Sequence, residues 1–186
     1  VWGLQPDWGY YDHPPMVGWL LALLTRLSSA PWVLRLPVTV LPVVLSLAMY
    51  FALKPTDARK ALYAALAFLL LPLNVWNVFI TTDTPLVFFC FFSGLAWWKA
   101  REKSSLGWHL AAGVLLGLAF LSKYFSALLA LVFIVDALRA PRSERALSGL
   151  AATLAAARPF GLFDLWWNYE HCWANFMFNL YNRHEE

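Results

Sequence analysis

Long apolar segments separated by short polar loops constrain this chain more than any other feature. A hydrocarbon core about 30 Å thick needs roughly 20 apolar residues in a helix, and the stretch Leu34–Leu53 meets that length. Of the 186 residues, 61% are hydrophobic and 13% are charged, whereas soluble domains are about half apolar and about a quarter charged. A soluble domain of this composition would lack enough polar surface to cover itself, so the sequence predicts an integral membrane protein.

We predict an all-α bundle of about six spanning helices and one interfacial helix. The run Leu106–Leu138 is longer than one span needs, and Lys123 divides it. Two short helices joined by a tight turn fit this pattern better than one tilted helix with a lysine in the membrane, which costs more free energy. The predicted spans are Leu34–Leu53, Ala61–Ile80, Thr84–Trp98, the two halves of Leu106–Leu138, and Ala146–Phe163.

Three further expectations concern the segments around these spans. Met16–Ser29 is short and carries Arg26, which is typical of a helix lying in the interface, although a short spanning helix is the alternative. Arg158 and Pro159 interrupt the last apolar segment, and we expect them to weaken or break its helix. Cys90 and Cys172 lie far apart in different settings, so neither a disulfide nor a zinc site is predicted.

The chain is predicted to be one membrane domain, residues 1–186. Residues 1–30 form an outer loop with the interfacial helix, residues 31–163 form the transmembrane helices, and residues 164–186 form a further outer loop. There is no signal-peptide pattern and no initiator methionine. We therefore expect an internal fragment of a longer protein.

The basic residues are distributed in a way that predicts the topology. They cluster at every second connection, as expected of loops that stay in the cytoplasm. The net charge of +3 is small, and these clusters are topology signals rather than a nucleic-acid surface. The clusters are Lys54, Arg59 and Lys60, then Lys99, Arg101 and Lys103, then Arg139, Arg142 and Arg145.

The remaining connections hold a small set of ionisable groups at the edges of apolar segments: Asp12, His13, Asp83 and Lys123. Charges at such positions are costly and usually functional. If the helices alternate in direction, all four face one compartment away from the cytoplasm. This one-sided arrangement predicts an active site at a membrane surface.

Each of these groups also has a structural interpretation. Asp83 could be only a helix cap, since Thr-Asp-Thr-Pro is a good capping sequence. Asp12 and His13 could be polar groups of a turn stiffened by the two prolines that follow. Lys123 could extend its ammonium to lipid headgroups.

The functional interpretation assigns each group a ligand. Lys123 would bind a lipid phosphate as a point charge, with the Tyr124 hydroxyl beside it. Asp83 would bind a metal ion or a substrate hydroxyl. Asp12 and His13 could hold a divalent cation, and their oxygen and imidazole donors suit Mg²⁺, Mn²⁺ or Zn²⁺.

At these positions the chain resembles a known family, the bacterial branch of the dolichyl-phosphate-mannose protein mannosyltransferases (glycosyltransferase family 39), to which the lipid A aminoarabinose transferases are related. The resemblance spans nearly the whole chain. Five motifs carry it, in the order of the family: Asp7-Trp8-Gly9-Tyr10-Tyr11-Asp12-His13-Pro14-Pro15-Met16, Val33-Leu34-Arg35-Leu36-Pro37, Thr81-Thr82-Asp83-Thr84-Pro85, Leu121-Ser122-Lys123-Tyr124 and Trp166-Trp167-Asn168-Tyr169-Glu170-His171-Cys172-Trp173.

The resemblance implies a GT-C helical bundle with its active site on the periplasmic side, and transfer with inversion from a polyprenyl-phosphate sugar. It implies catalytic roles for Asp83 and Asp12, with Asp12 also a metal-site candidate, and substrate-binding roles for His13, Lys123, Tyr11 and Tyr124. The family usually has a further acidic pair that would precede Val1, so the usual candidate for the catalytic base is absent from these 186 residues.

We therefore predict a glycosyltransferase of the bacterial inner membrane, acting on a hydroxyl of a protein or glycolipid acceptor in the cell envelope. Protein mannosylation is one form of this chemistry. A transporter or flippase for a lipid-linked or small polar solute is the alternative, because charges within membranes also mark transport pathways. A purely structural membrane segment is a third interpretation, and it predicts that no lipid phosphate binds.

Overall fold

The computed structural model describes residues 2–72, 74, 79–139 and 144–181. These residues form helices joined by short connections, with no strand in the described part of the chain. The all-α prediction is therefore confirmed. The helices are α1 Met16–Leu27, α2 Pro31–Leu53, α3 Ala58–Leu69, α4 Asp83–Lys103, α5 Leu106–Phe120, α6 Ala127–Arg139, α7 Glu144–Glu170 and α8 Ala174–Leu180, with short 3₁₀ turns at Trp2–Leu4 and Tyr124–Ser126.

Helices α4, α5 and α7 form the centre of the bundle, with α5 packed between the other two. Gly113 of α5 allows this close approach, because a Cβ atom there would collide with the Thr153 carbonyl of α7. The Ser93 hydroxyl of α4 donates to the Ala112 carbonyl of α5 at 2.8 Å. Small residues thus bring the backbones together, as is common between membrane helices.

Large apolar side chains cover the outside of the helices. On α2 they recur every three or four residues, and on α6 they form a similar stripe. Exposed apolar area of this extent needs an apolar solvent or partner. The exposed residues are Leu36, Val40, Val43, Leu47 and Phe51 on α2, and Leu128, Leu131, Val132, Val135 and Leu138 on α6.

Among the described residues, two helices are long and apolar enough to cross a membrane by length and composition. They lie at Pro31–Leu53 and Ala146–Glu170, while Met16–Leu27 and Leu106–Phe120 are shorter apolar helices. Six spanning helices are thus not confirmed. In the predicted span Ala61–Ile80 the helix α3 ends at Leu69, and part of the remainder lies outside the described residues.

The structure settles two expectations about helix breaks. The run Leu106–Leu138 is divided into α5 and α6 by a turn containing Lys123, so that prediction is confirmed. The expected break at Pro159 is wrong, because α7 continues through it to Glu170. A proline inside a helix removes one hydrogen bond without necessarily ending the helix, and α2 likewise contains Pro37 and Pro42.

The direction of the helices brings one set of ends together. Helix α4 begins at Asp83, and α5 runs back from Leu106 towards Lys123. The Met16 amide at the start of α1 donates to the Leu121 carbonyl at 3.1 Å. The start of α1, the start of α4 and the end of α5 therefore meet at one end of the bundle.

Candidate functional site

An ion pair joins two of the predicted site residues. The Lys123 ammonium donates to Asp83 Oδ1 at 2.8 Å, although the two residues are 40 positions apart in the sequence. The Lys123 side chain is 21% exposed and that of Asp83 is 53% exposed. The cation is thus largely shielded from water, while the carboxylate remains accessible at the mouth of the site.

The turn after α5 fixes the position of Lys123. The buried Ser122 hydroxyl donates back to the Leu118 carbonyl at 2.9 Å, and the Lys123 amide donates to the Ala119 carbonyl at 3.0 Å. Lys123 itself has an extended backbone, with φ of −166°, which ends the helix. Its ammonium also lies 5.3 Å from the centroid of the Phe125 ring, a favourable cation–π position.

The start of α4 fixes Asp83. Thr82 occupies the N-cap position and makes no side-chain capping hydrogen bond, and Asp83 is the first helical residue. The interpretation of Asp83 as only a cap is therefore wrong, because its carboxylate turns to Lys123 instead. A carboxylate in the first turn is also favoured by the helix dipole.

The first outer loop reaches the same place. His13 and Pro14 line a small cavity of about 50 Å³ together with Lys123, Tyr124, Phe125 and Asn179. Residues 11–13 form bends before the buried prolines, as predicted for a loop that precedes Pro14 and Pro15. His13 and Lys123 thus line the same cavity.

Asp12 and Tyr11 are placed differently. The Asp12 carbonyl accepts a hydrogen bond from Asn179 Nδ2 at 3.1 Å, which fixes the loop. Asp12 Oδ1 is buried and makes no hydrogen bond to a described residue, so this atom can still accept one from a ligand. Tyr11 is 61% exposed, and its ring packs edge-on against Phe178 with the centroids 5.2 Å apart.

The Tyr124 hydroxyl belongs to a buried polar network. It lies 2.7 Å from Asn175 Oδ1 and 3.0 Å from Asp164 Oδ2. Asn175 Nδ2 in turn donates to the Tyr10 carbonyl at 2.8 Å. Burial, and secondarily the nearby Asp164 carboxyl, raise the pKa of Tyr124, so its phenol stays protonated and remains a hydrogen-bond donor.

This network was missed by the sequence analysis. Asp164, Asn168, Asn175 and Asn179 lie in a segment that was interpreted as an outer loop with aromatic residues. The exposed fractions of Asp164, Asn168 and Asn175 are 3%, 0% and 1%. A signal was available, since Asp164 follows an apolar run in the same way as the four groups that were identified.

The described residues contain no group of three or more His, Cys, Asp or Glu side chains that could hold a metal ion. Asp12 and His13 are two neighbouring donors, and a metal site needs further ligands from the substrate, water or other parts of the protein. The divalent cation stays a prediction.

An apolar groove begins directly beside Asp83. Its volume is about 450 Å³, and Thr84 and Pro85, the next two residues of α4, form part of its wall. The remaining lining comes from α1, α2 and the following turn of α4, including Trp19, Val40 and Phe88. The site therefore combines an ion pair with an adjoining apolar groove, which suits an anionic group attached to a long apolar chain.

These features define a helical bundle with exposed apolar faces and a charged site at one end. The family model for dolichyl-phosphate-mannose-protein mannosyltransferases matches residues 12–167, which include both the Asp83–Lys123 pair and Asp164. The chain belongs to this family, as the resemblance predicted.

One curated relative gives a second comparison. The lipid A galacturonosyltransferase RgtD of Rhizobium johnstonii is 29% identical over 179 residues, which cover 91% of this chain and 37% of the relative. The chain thus spans little more than a third of that protein. No solved structure matches the chain significantly.

Proposed function

We propose that this chain carries part of the active site of a membrane glycosyltransferase that moves a sugar from a polyprenyl phosphate to an acceptor hydroxyl. The observation that carries the proposal is the Lys123–Asp83 pair at 2.8 Å beside the apolar groove. A shielded ammonium is suited to a phosphate, and lysine binds phosphate as a point charge.

The groove supports a lipid-linked donor rather than a soluble one. A soluble sugar nucleotide needs a polar pocket, whereas a polyprenyl chain needs apolar contact. The lining of the groove is contributed by apolar residues except for Thr84. With the phosphate at Lys123, the first isoprene units would lie along α1 and α4.

The ion pair present without substrate suggests how Lys123 and Asp83 act one after the other. A donor phosphate competes with Asp83 for Lys123, so binding releases the Asp83 carboxylate. The acceptor oxygen then attacks the anomeric carbon as the bond from that carbon to the phosphate oxygen breaks. The polyprenyl phosphate leaves with the bonding electrons, Lys123 stabilises its charge, and a carboxylate, with Asp83 our candidate, takes the acceptor proton.

Two further parts of the proposal concern location and acceptor. The basic residues at the end of α2, the start of α3 and the ends of α4 and α6 lie away from Asp83, which supports a site on the periplasmic side of the bacterial inner membrane. The relative named above acts on lipid A, which favours a glycolipid acceptor over a protein hydroxyl.

Substitutions at the ion pair test the proposal in the complete protein. We expect Asp83→Asn and Lys123→Ala each to reduce transfer from a polyprenyl-phosphate sugar by at least about tenfold, the lower range for losing a charge contact in a transition state. Initial rates in membranes or detergent, at equal protein levels, measure the effect.

Lys60→Ala is the matched control. Lys60 forms an ion pair with Asp57 at 3.6 Å, and its side chain is 86% exposed, so its loss should leave transfer unchanged. Wild-type rates in both site variants would remove Asp83 and Lys123 from the mechanism.

A further inference from the structure

A second open cavity lies at the opposite end of the bundle. Its volume is about 590 Å³, and its wall contains Arg101, Ser104, His109, Ser148 and Gly149. Arg101 is 18 residues beyond Asp83 on α4, so it lies about 27 Å farther along the helix axis. This cavity is therefore separate from the candidate active site.

An ion pair with Asp136 holds Arg101 in place. Its Nε lies 3.3 Å from Asp136 Oδ2, and the same oxygen accepts a hydrogen bond from Trp97 Nε1 at 3.0 Å. The Trp97 ring in turn stacks on Phe133 with the centroids 4.5 Å apart. This contact is made through Nε, Arg101 also lines the cavity, and a guanidinium fork matches phosphate geometry.

His109 is also positioned by a buried partner. The Thr153 hydroxyl donates its single proton to a backbone carbonyl, with Gly149 O at 3.0 Å and His109 O at 3.1 Å. We assign the proton of this contact to His109 Nδ1, which lies 3.3 Å from the Thr153 oxygen, because the hydroxyl proton is used on a carbonyl. In the neutral imidazole Nε2 is then an acceptor. This atom packs against Gly149, and His109 is 6% exposed, so only the edge of its ring borders the cavity.

The surroundings favour an anion. The end of α4 and the facing turn of α6 carry four basic residues, Lys99, Arg101, Lys103 and Arg139, against the two acidic residues Glu102 and Asp136. The cavity also lies at the N-terminus of α5, since Leu106 is part of its lining, and a helix N-terminus favours negative charge.

We infer that this cavity binds a phosphate ester that carries a neighbouring hydroxyl group. The phosphate would occupy the free edge of Arg101, and the hydroxyl would donate to His109 Nε2. A glycerol phosphate has this chemistry, either as the headgroup of an anionic phospholipid or as a soluble ester. The site is independent of the transfer reaction proposed above.

Lipid binding to the complete protein tests the inference. Native mass spectrometry would be performed on the Lys123→Ala variant, so that the candidate active site does not contribute. We expect phosphatidylglycerol to bind at least about fivefold more tightly than phosphatidylcholine, which has no headgroup hydroxyl and no net charge. Arg101→Gln should abolish this difference, and equal binding of the two lipids before that substitution would overturn the inference.

A second test adds a negative charge at the mouth of the cavity, at an exposed position where a substitution should not prevent folding. Leu106 is 61% exposed, so both Leu106→Glu and Leu106→Gln should fold. We expect the glutamate to weaken phosphatidylglycerol binding about fivefold relative to the glutamine through repulsion of the phosphate. Equal binding by these two variants would contradict the assignment.

Glycerol 3-phosphate distinguishes the two sources of the ligand. Competition by this soluble ester with phosphatidylglycerol supports the shared phosphate chemistry and places the lipid headgroup in the cavity. Binding of the ester alone, lost in Arg101→Gln, supports a soluble ligand. Failure of both probes to bind would overturn the inference, while transfer activity would still report separately on Asp83 and Lys123.

Discussion

At the scale of the residue, the ion pair between Lys123 and Asp83 gives the sequence pattern a physical meaning. The two side chains were predicted to share one side of a membrane, and their 2.8 Å contact brings them into one site. A half-exposed ion pair of this kind adds little to stability. The pair nevertheless keeps an ammonium in place beside an apolar groove, which is the arrangement that the proposed function requires.

The Tyr124 hydroxyl leads to a prediction about stability. Tyr124→Phe removes the group that links Asp164 to Asn175, both of which are buried. Leaving a buried polar group without its partner costs about 1–3 kcal/mol, so we expect a lower unfolding temperature in detergent. Tyr169→Phe is the control, because Tyr169 is 69% exposed and its substitution should have no effect. Equal unfolding temperatures for all three proteins would show that the network is not stabilising.

At the scale of the element, the turns and small residues decide how the helices meet. The division of Leu106–Leu138 could be predicted because Lys123 interrupts an otherwise apolar run. The course of α7 through Pro159 could not, because the pattern shows a missing amide but not the packing of this helix on α5. The contacts of Asp164 and Asn175 with Tyr124 could not be predicted for a related reason: the partners are 40 and 51 positions apart, beyond any local pattern.

Two glycines of neighbouring helices form a matched pair for testing the packing. Gly113→Ala on α5 would place a methyl group against the Thr153 carbonyl, and such overpacking costs typically about 1–3 kcal/mol. A Cβ at Gly94 on α4 meets nothing within 4 Å, so Gly94→Ala should be neutral or slightly stabilising. Thermal unfolding in detergent compares the two, and equal stability would contradict the close approach of α5 and α7.

At the scale of the whole molecule, the bundle has two chemically different ends. One holds Asp83, Lys123, His13 and the groove. The other holds the basic residues at the ends of α2, α4 and α6 and the cavity at Arg101. The composition and the alternation of charged loops were sufficient to predict an all-α membrane protein. The number of spans was not, because α1, α3 and α5 are shorter than the roughly 20 residues of a simple span.

Accessibility to a membrane-impermeant thiol reagent tests this polarity. Single cysteines at positions 83 and 59, in the complete protein with Cys90 and Cys172 replaced by serine, should react from opposite sides of the membrane. Position 83 should label in intact cells with a permeable outer membrane, and position 59 only after the inner membrane is opened. Labelling of both positions from one side would contradict the topology, and alternating access at position 83 would favour a transporter.

Binding of a polyprenyl phosphate to the complete protein tests most directly whether Lys123 holds the lipid phosphate. We expect Lys123→Ala to lose at least about tenfold in affinity, Lys60→Ala to bind as the wild type does, and Asp83→Asn to bind at least as tightly, because it no longer competes for the ammonium. Wild-type affinity in Lys123→Ala, with Asp83→Asn binding more weakly, would contradict the proposed site.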